Sequence, residues 1–226
     1  VAVDFRLGSG EEKTVRFVLT WYAPTWNGGG YNWANWNHSF THMYAKHYPD
    51  AVQTARLLAK EHESLLKRTL AWQQVIYTDN KLPVWLRDSL INSLYLITED
   101  GMWAQKKAPL PRWVREDDGL FGMNECPRGC AQIECIPCSF YGNIPTVYFF
   151  PELALSTLRG YKGYQYWDGC PPWTFTGFNG GKVEFADATR GYQWASNGIS
   201  LASLVHRFLM CNDTPDKKYL KEFYPM

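Results

Sequence analysis

The segment Phe121–Cys138, with the sequence FGMNECPRGCAQIECIPC, gathers two carboxylates and four of the six cysteines of the chain. Its Gly and Pro residues predict loop-like structure rather than a regular helix or strand. The carboxylates of Glu125 and Glu134, beside Gly, Pro and aromatic residues, are typical of sites that cleave glycosidic bonds. The cysteines could instead hold a metal ion or a disulfide, so the choice between these interpretations largely decides the function.

The residues before this segment begin with a β pattern over 1–26. Val3, Phe5 and Leu7 alternate with polar residues, Gly8–Glu12 predicts a turn, and alternation resumes from Val15 to Leu19. This pattern predicts a hairpin with one buried face, which is marginally stable alone and needs further strands.

Helical spacing of apolar residues dominates the remainder and predicts a mainly α protein. Asp50 is a good N-cap for the first helix, Pro83 suits a first helical turn, and Thr214 followed by Pro215 has the pattern of a capped helix start. The predicted helices are 50–77, a helix from Pro83 through Ile97, 144–162 with a second piece opened by Pro151, 190–210, and a last helix from Thr214. The predicted irregular segments are 27–48, 101–143 and 163–188.

The composition favours a protein that handles sugars over one that handles nucleic acids. The net charge is only +1, and the chain holds 11 Trp, 14 Tyr and 12 Phe. Trp and Tyr combine flat apolar faces with a polar group, and sugar rings stack on such faces. A Trp-rich core is the alternative explanation for part of this count. No apolar run is long enough for a transmembrane helix, and the compartment stays open.

The cysteines and the acidic turn leave several interpretations open. Cys135 and Cys138 have the spacing of one half of a zinc site. Cys126 and Cys130 lie too close to this pair for the usual layout, in which a long spacer separates the two halves. Buried thiols, disulfides and a metal site therefore all remain. Asp118 follows Glu116 and Asp117, which favours a solvated turn with local ion pairs to Arg115, although a carboxylate could also bind sugar hydroxyls. The motifs of serine hydrolases, P-loop enzymes, dinucleotide-binding enzymes and HExxH zinc proteases are absent from the sequence.

The order of several motifs resembles the glycoside hydrolase family of the non-lysosomal glucosylceramidases and bacterial β-glucosidases. The resemblance covers nearly the whole chain and rests on five stretches: Phe17–Pro24, Tyr48–Ala51, Leu82–Asp88, Leu120–Glu125 and Tyr148–Leu153. It implies the last strands of an N-terminal β-sandwich over 1–26 and the first part of an (α/α)6 toroid over 27–226. The rest of a longer chain, or a partner subunit, would complete the toroid.

The resemblance also implies roles for single residues. The family nucleophile is a Glu in an aromatic-Gly-x-x-Glu context, which matches Phe121–Glu125 and gives Glu125 that role. Glu134 takes a sugar-binding role, as the carboxylate nearest to where the family has an Asp. The candidate substrate-binding residues are Glu134, Trp33, Trp36, Tyr141, Trp173 and Asp118.

The predicted activity is that of a retaining glycosidase on β-glucosides or related glycoconjugates, including glycolipids, without a cofactor or metal. The family's acid/base Asp cannot be assigned to any residue of this chain. The family often has a His-Asp pair where this chain has Trp173-Thr174. This departure favours the alternative of a catalytically inactive carbohydrate-binding or structural protein on the same fold.

Overall fold

The computed structural model describes residues 1–27, 39–108, 110–126, 130–175 and 194–226. Helices predominate in these ranges, and the strands form only small sheets, so the predicted mainly α class is confirmed. None of the described helices is long and apolar enough to cross a membrane.

The helices are named α1 to α8 and the strands β1 to β5 in chain order. The helices are α1 Ala51–Tyr77, α2 Val84–Asn92, α3 Tyr95–Asp100, α4 Ile136–Gly142, α5 Ile144–Phe149, α6 Pro151–Tyr164, α7 Trp194–Asn212 and α8 Lys218–Phe223. A short 3₁₀ helix spans Met43–Lys46. The strands are β1 Thr25–Asn27, β2 Ser39–Thr41, β3 Gly101–Ala104, β4 Leu120–Cys126 and β5 Cys130–Ile133.

Three of the helix starts follow the predicted capping chemistry. The Asp50 carboxylate accepts a 2.7 Å hydrogen bond from the Gln53 amide and caps α1. Pro83 directly precedes α2, and Pro151 is the first residue of α6, where its missing N–H costs no helical hydrogen bond. The predicted helix from Pro83 is divided into α2 and α3, whereas 144–162 forms α5 and α6 with Pro151 opening the second piece as predicted.

The last helix begins later than predicted, at Lys218 rather than at Pro215. The Thr214 hydroxyl bonds the Asp216 carboxylate, and Thr214–Lys217 forms a turn closed by a 2.8 Å backbone bond. Lys217 then adopts a left-handed backbone with φ 57°, which interrupts any helix begun at Pro215.

The predicted hairpin does not form within residues 1–26, because residues 1–24 contain no strand. Only its turn is present, where the Glu11 amide bonds the Gly8 carbonyl at 3.3 Å. The alternating apolar side chains Val3, Phe5 and Leu7 remain about half exposed, at 46–51%. Alternation alone does not form a ladder, since a strand needs a partner strand for its backbone groups and a surface for its apolar face.

The prediction that the segment 101–143 is irregular is wrong. This segment contains a three-stranded antiparallel sheet in the order β3-β4-β5, followed by α4. Trp103 pairs with Phe121, and Asn124 pairs with Ile133, with a register shift between Asn124 and Cys126. Gly122 permits this packing, because a Cβ there would lie 2.3 Å from the Ile133 Cγ2 atom. The glycines that indicated a loop instead allow strands to approach closely.

The core is built where α6 crosses β4. Leu158 and Tyr161 of α6 pack with Leu120, Ile133 and Phe175, and all five are 0–1% exposed. The Ser156 hydroxyl accepts a 2.9 Å bond from the Phe121 amide, and Thr157 donates to the Phe121 carbonyl at 3.1 Å. These bonds fix β4 against α6 and thereby position the segment that carries Glu125.

Arg159 of α6 fixes two other parts of the chain. Its guanidinium bonds the Asp118 carboxylate before β4 and both carboxylate oxygens of Glu222 in α8, at 2.6 and 3.0 Å. Only 12% of the Arg159 side chain is exposed. This half-buried cluster anchors α8 and the Asp118 turn to the same helix.

We predict that Gly160→Ala lowers the free energy of unfolding by about 1–3 kcal/mol. A Cβ at Gly160 would lie 2.4 Å from the Phe175 ring, whose surroundings are filled. Urea unfolding followed by circular dichroism measures the change.

Gly198→Ala is the matched control in α7, because nothing lies within 4 Å of its Cβ position. This control should be neutral or stabilising by about 0.5–1 kcal/mol, since Ala is the better helix former. Equal effects of the two substitutions would contradict the close approach of α6 to Phe175.

Candidate functional site

A cavity of about 340 Å³ opens between the β-sheet and the helices that follow it. Residues of α3, β4, α4, α5 and α6 line it. Its polar lining comes from Asn124, Glu134, Ser139, Asn143 and Thr146, among others. A largely apolar cavity with a few converging polar groups is the usual form of a ligand site.

Glu134 lies in the wall of this cavity, directly after β5, with only 2% of its surface exposed. The Met123 amide donates a 2.7 Å hydrogen bond to Glu134 Oε2, and the Glu134 amide donates to the Met123 carbonyl at 2.7 Å. The Ser139 hydroxyl bonds the other carboxyl oxygen, Oε1. One side chain therefore joins β4, the turn after β5 and α4.

The backbone of Glu134 is left-handed, with φ 59°, a conformation that is uncommon for residues other than glycine. It lies where the chain turns from β5 into α4. The buried Tyr161 hydroxyl donates a 2.9 Å bond to the Glu134 carbonyl, and this contact holds the unusual conformation in place. Burial also raises the pKa of Tyr161 well above its ordinary value, so its hydroxyl remains a donor.

Burial raises the pKa of Glu134 from 4.5 to about 7, because the carboxylate loses its contact with water. The hydrogen bonds from Ser139 and from the Met123 amide stabilise the charged form and act in the opposite direction. Near neutral pH this carboxyl group is therefore present in both protonation states.

Ser139 can serve both forms of the Glu134 carboxyl group. Its hydroxyl oxygen also lies 3.0 Å from the Cys135 carbonyl oxygen. A hydroxyl has one proton to donate and can accept in return. With Glu134 charged, Ser139 donates to the carboxylate. With Glu134 protonated, the Ser139 oxygen can accept a hydrogen bond from the carboxyl O–H, while the Ser139 hydroxyl donates to the Cys135 carbonyl.

The predicted nucleophile Glu125 belongs to β4. It lies two residues after Met123, whose carbonyl accepts a hydrogen bond from the Glu134 amide. Its side chain, and that of Tyr141 in α4, lie outside the described part of the structure, and Trp33 and Trp36 lie outside the described residues altogether. The backbone thus places Glu125 two residues along β4 from Met123, the residue to which the Glu134 backbone is hydrogen-bonded.

The structure does not bring Trp173 and Asp118 to this cavity. Trp173 is partly buried against the core, and its carbonyl accepts a 2.8 Å bond from the Ile136 amide. Asp118 lies in a second cavity with Arg159 and Glu222. It pairs with Arg115 at 3.2 Å, which confirms the predicted turn with local ion pairs.

Two of the four cysteines in the segment Phe121–Cys138 are described with their side chains. Cys135 is a buried thiol and Cys138 a partly exposed one. The side chains of Cys126 and Cys130 lie outside the described part, although their backbones pair at the end of the β4–β5 hairpin. Among the described side chains, no group of three or more His, Cys, Asp or Glu could hold a metal ion.

Sequence reasoning missed Ser139, Asn143 and Thr146, which become polar lining only through the turn from β5 into α4 and α5. The Asn143 side chain accepts a 2.7 Å bond from Arg207 of α7, a residue 64 positions away. No local pattern signals such a contact.

No protein-family model matches this chain. The resemblance of its motifs to the glycosidase family therefore stays a prediction.

We predict that Glu134→Gln flattens the pH dependence of stability between about pH 4.5 and 7. The folded chain holds a proton on Glu134 that the unfolded chain releases in this window. This contribution is fully present below pH 4.5 and is lost as the pH rises through about 7. The loss amounts to about 3 kcal/mol, from ~1.4 kcal/mol per pH unit.

Urea unfolding at a series of pH values measures this difference. Glu63→Gln serves as control, because 78% of the Glu63 side chain is exposed. The control should keep the wild-type slope. A wild-type slope in Glu134→Gln would rule out the buried titration.

We also predict that Ser139→Ala moves the pKa of Glu134 above about 7, since the hydroxyl stabilises the carboxylate. Infrared spectroscopy of the protonated carboxyl band against pH measures it, with Glu134→Gln to assign the band. Ser156→Ala is the control, because Ser156 is also buried but bonds the Phe121 amide instead. A lowered or unchanged pKa in Ser139→Ala would contradict the contact.

Proposed function

We propose that this chain is part of a retaining β-glycosidase that cleaves β-glucosides or related glycoconjugates with Glu125 as nucleophile. The observation that carries the proposal is the buried Glu134 carboxyl group in the cavity wall, paired through Met123 with the strand that continues to Glu125. The motif Phe121–Glu125 supports the role of Glu125 by its resemblance to the family nucleophile.

The proposal includes the family's architecture, with residues 1–26 completing a β-sandwich and 27–226 beginning an (α/α)6 toroid. The exposed apolar side chains of Val3, Phe5, Leu7 and Phe17 support the first part, because paired strands would bury them. The packing of α4, α5 and α6 on α7 is compatible with the second.

In the proposed reaction the Glu125 carboxylate attacks the anomeric carbon, and the bond from that carbon to the leaving oxygen breaks. A covalent glycosyl-enzyme forms, which water then hydrolyses with retention of configuration. The acid that protonates the leaving group and later activates water is not assigned to a residue of this chain.

Glu134 would bind sugar hydroxyls rather than attack. Its two carboxyl oxygens already accept one hydrogen bond each, which fixes the group, and each oxygen keeps a lone pair for a sugar hydroxyl. Phe121 and Met123 supply apolar surface for the ring beside it. Trp33, Trp36 and Tyr141 are proposed to stack on the sugar or the aglycone.

We predict that a dinitrophenyl 2-deoxy-2-fluoro-β-glucoside labels Glu125. The dinitrophenolate leaves without protonation, so this first step does not require the acid/base residue. The fluorine slows hydrolysis of the intermediate, so the label persists. Mass spectrometry of a peptide digest locates it.

Glu125→Gln should abolish the label, and Glu63→Gln, far along the exposed face of α1, should keep it. Label on another carboxylate would overturn the assignment of Glu125. Saturable binding of a β-glucoside without any label would favour the alternative, a carbohydrate-binding protein that has lost catalysis.

A further inference from the structure

Cys135 is the residue before the first residue of α4, and Cys138 lies in the first turn of that helix. The Cys138 amide donates a 3.0 Å hydrogen bond to the Cys135 carbonyl, which closes a four-residue turn. Such a turn holds its end Cα atoms within about 7 Å of one another. A disulfide requires Cα atoms about 4.4–6.8 Å apart, so the backbone already brings the pair into bonding range.

The two thiols differ in access in the way that a dithiol exchange requires. Both line the cavity, but only 5% of Cys135 is exposed, whereas Cys138 is partly exposed. An external disulfide can reach Cys138, and the buried Cys135 is protected from direct attack. The segment Cys135-Ile136-Pro137-Cys138 thus carries one accessible and one protected thiol within a single turn.

We propose that Cys135 and Cys138 form a redox-active dithiol, which a low-molecular-weight disulfide such as oxidised glutathione converts into an internal disulfide. The proposal does not depend on the glycosidase function, since it requires only the two thiols and access through the cavity.

The reaction proceeds by two exchanges. The Cys138 thiolate attacks one sulfur of glutathione disulfide, the sulfur–sulfur bond breaks, and one glutathione leaves as a thiolate that takes up a proton. The Cys135 thiolate then attacks the Cys138 sulfur, and the second glutathione leaves in the same way. The protein loses two electrons and two protons, and one glutathione disulfide becomes two glutathione molecules.

The neighbouring structure links this pair to Glu134. Ser139 follows Cys138, and its hydroxyl lies within hydrogen-bond distance of both the Glu134 carboxyl group and the Cys135 carbonyl. A covalent bond between the two sulfurs constrains this same turn. Oxidation is therefore expected to change the structure of the cavity wall rather than that of a remote surface.

The test uses the whole chain, reduced, freed of reductant and incubated with oxidised glutathione. Remaining thiols are alkylated, and the unreduced protein is cleaved after glutamate. Cleavage at Glu134 and Glu152 yields peptide 135–152, which contains Cys135 and Cys138 and no other cysteine. We expect this peptide to be lighter than its reduced form by two hydrogen atoms and to carry no alkyl group.

Three variants separate the steps. Cys135→Ser should accumulate glutathione on Cys138, because the resolving thiol is gone, and Cys138→Ser should leave Cys135 reduced. Cys211→Ser, which removes an exposed thiol elsewhere, should still form the internal disulfide. An alkylated peptide 135–152 in the wild type, or one linked to peptide 126–134 that holds Cys126 and Cys130, would overturn the proposal.

Discussion

The hydrogen bonds of the Glu134 carboxyl group connect the elements that surround the cavity. The Met123 amide ties this group to β4, and the Ser139 hydroxyl ties it to α4. Each bond matters more because the group is buried, where a polar atom without a partner is costly. Burial also keeps the group partly protonated near neutral pH, since its pKa is about 7. The Glu134 side chain therefore connects two structural elements and also titrates.

Close backbone approach is the second constraint, and glycine makes it possible. Gly122 lets Ile133 and Glu134 pack directly on β4, and Gly160 lets the Phe175 ring lie against α6. A side chain at Gly122 would press on Ile133 and Glu134, and a side chain at Gly160 would press on Phe175 and Leu120. The position of the β4 segment that carries Glu125 therefore depends on two residues with no side chain.

The helices were largely predictable, because their signals are local. Asp50, Pro83 and Pro151 act through the backbone of the same turn, and apolar spacing then outlines α1, α6 and α7. The sheet over 101–133 was not predictable, because its strands are short and include Gly and Asn, residues that are depleted from strands. The hairpin over 1–26 failed for the converse reason. Its alternation is clear, but no strand pairing forms along residues 1–24.

The sequence by itself determined the mainly α class, the principal helix starts and the importance of Phe121–Cys138. It could not rank Glu134 above other carboxylates, since burial and hydrogen bonding depend on residues distant in the chain. Tertiary structure decided that Glu134 is enclosed and hydrogen-bonded to Met123 and Ser139. It also decided that Asp118 pairs with Arg159, in the second cavity that Glu222 lines, rather than lining the cavity of Glu134. The physical reason is that helix formation depends on neighbours within one turn, whereas a carboxyl group's state depends on everything packed around it.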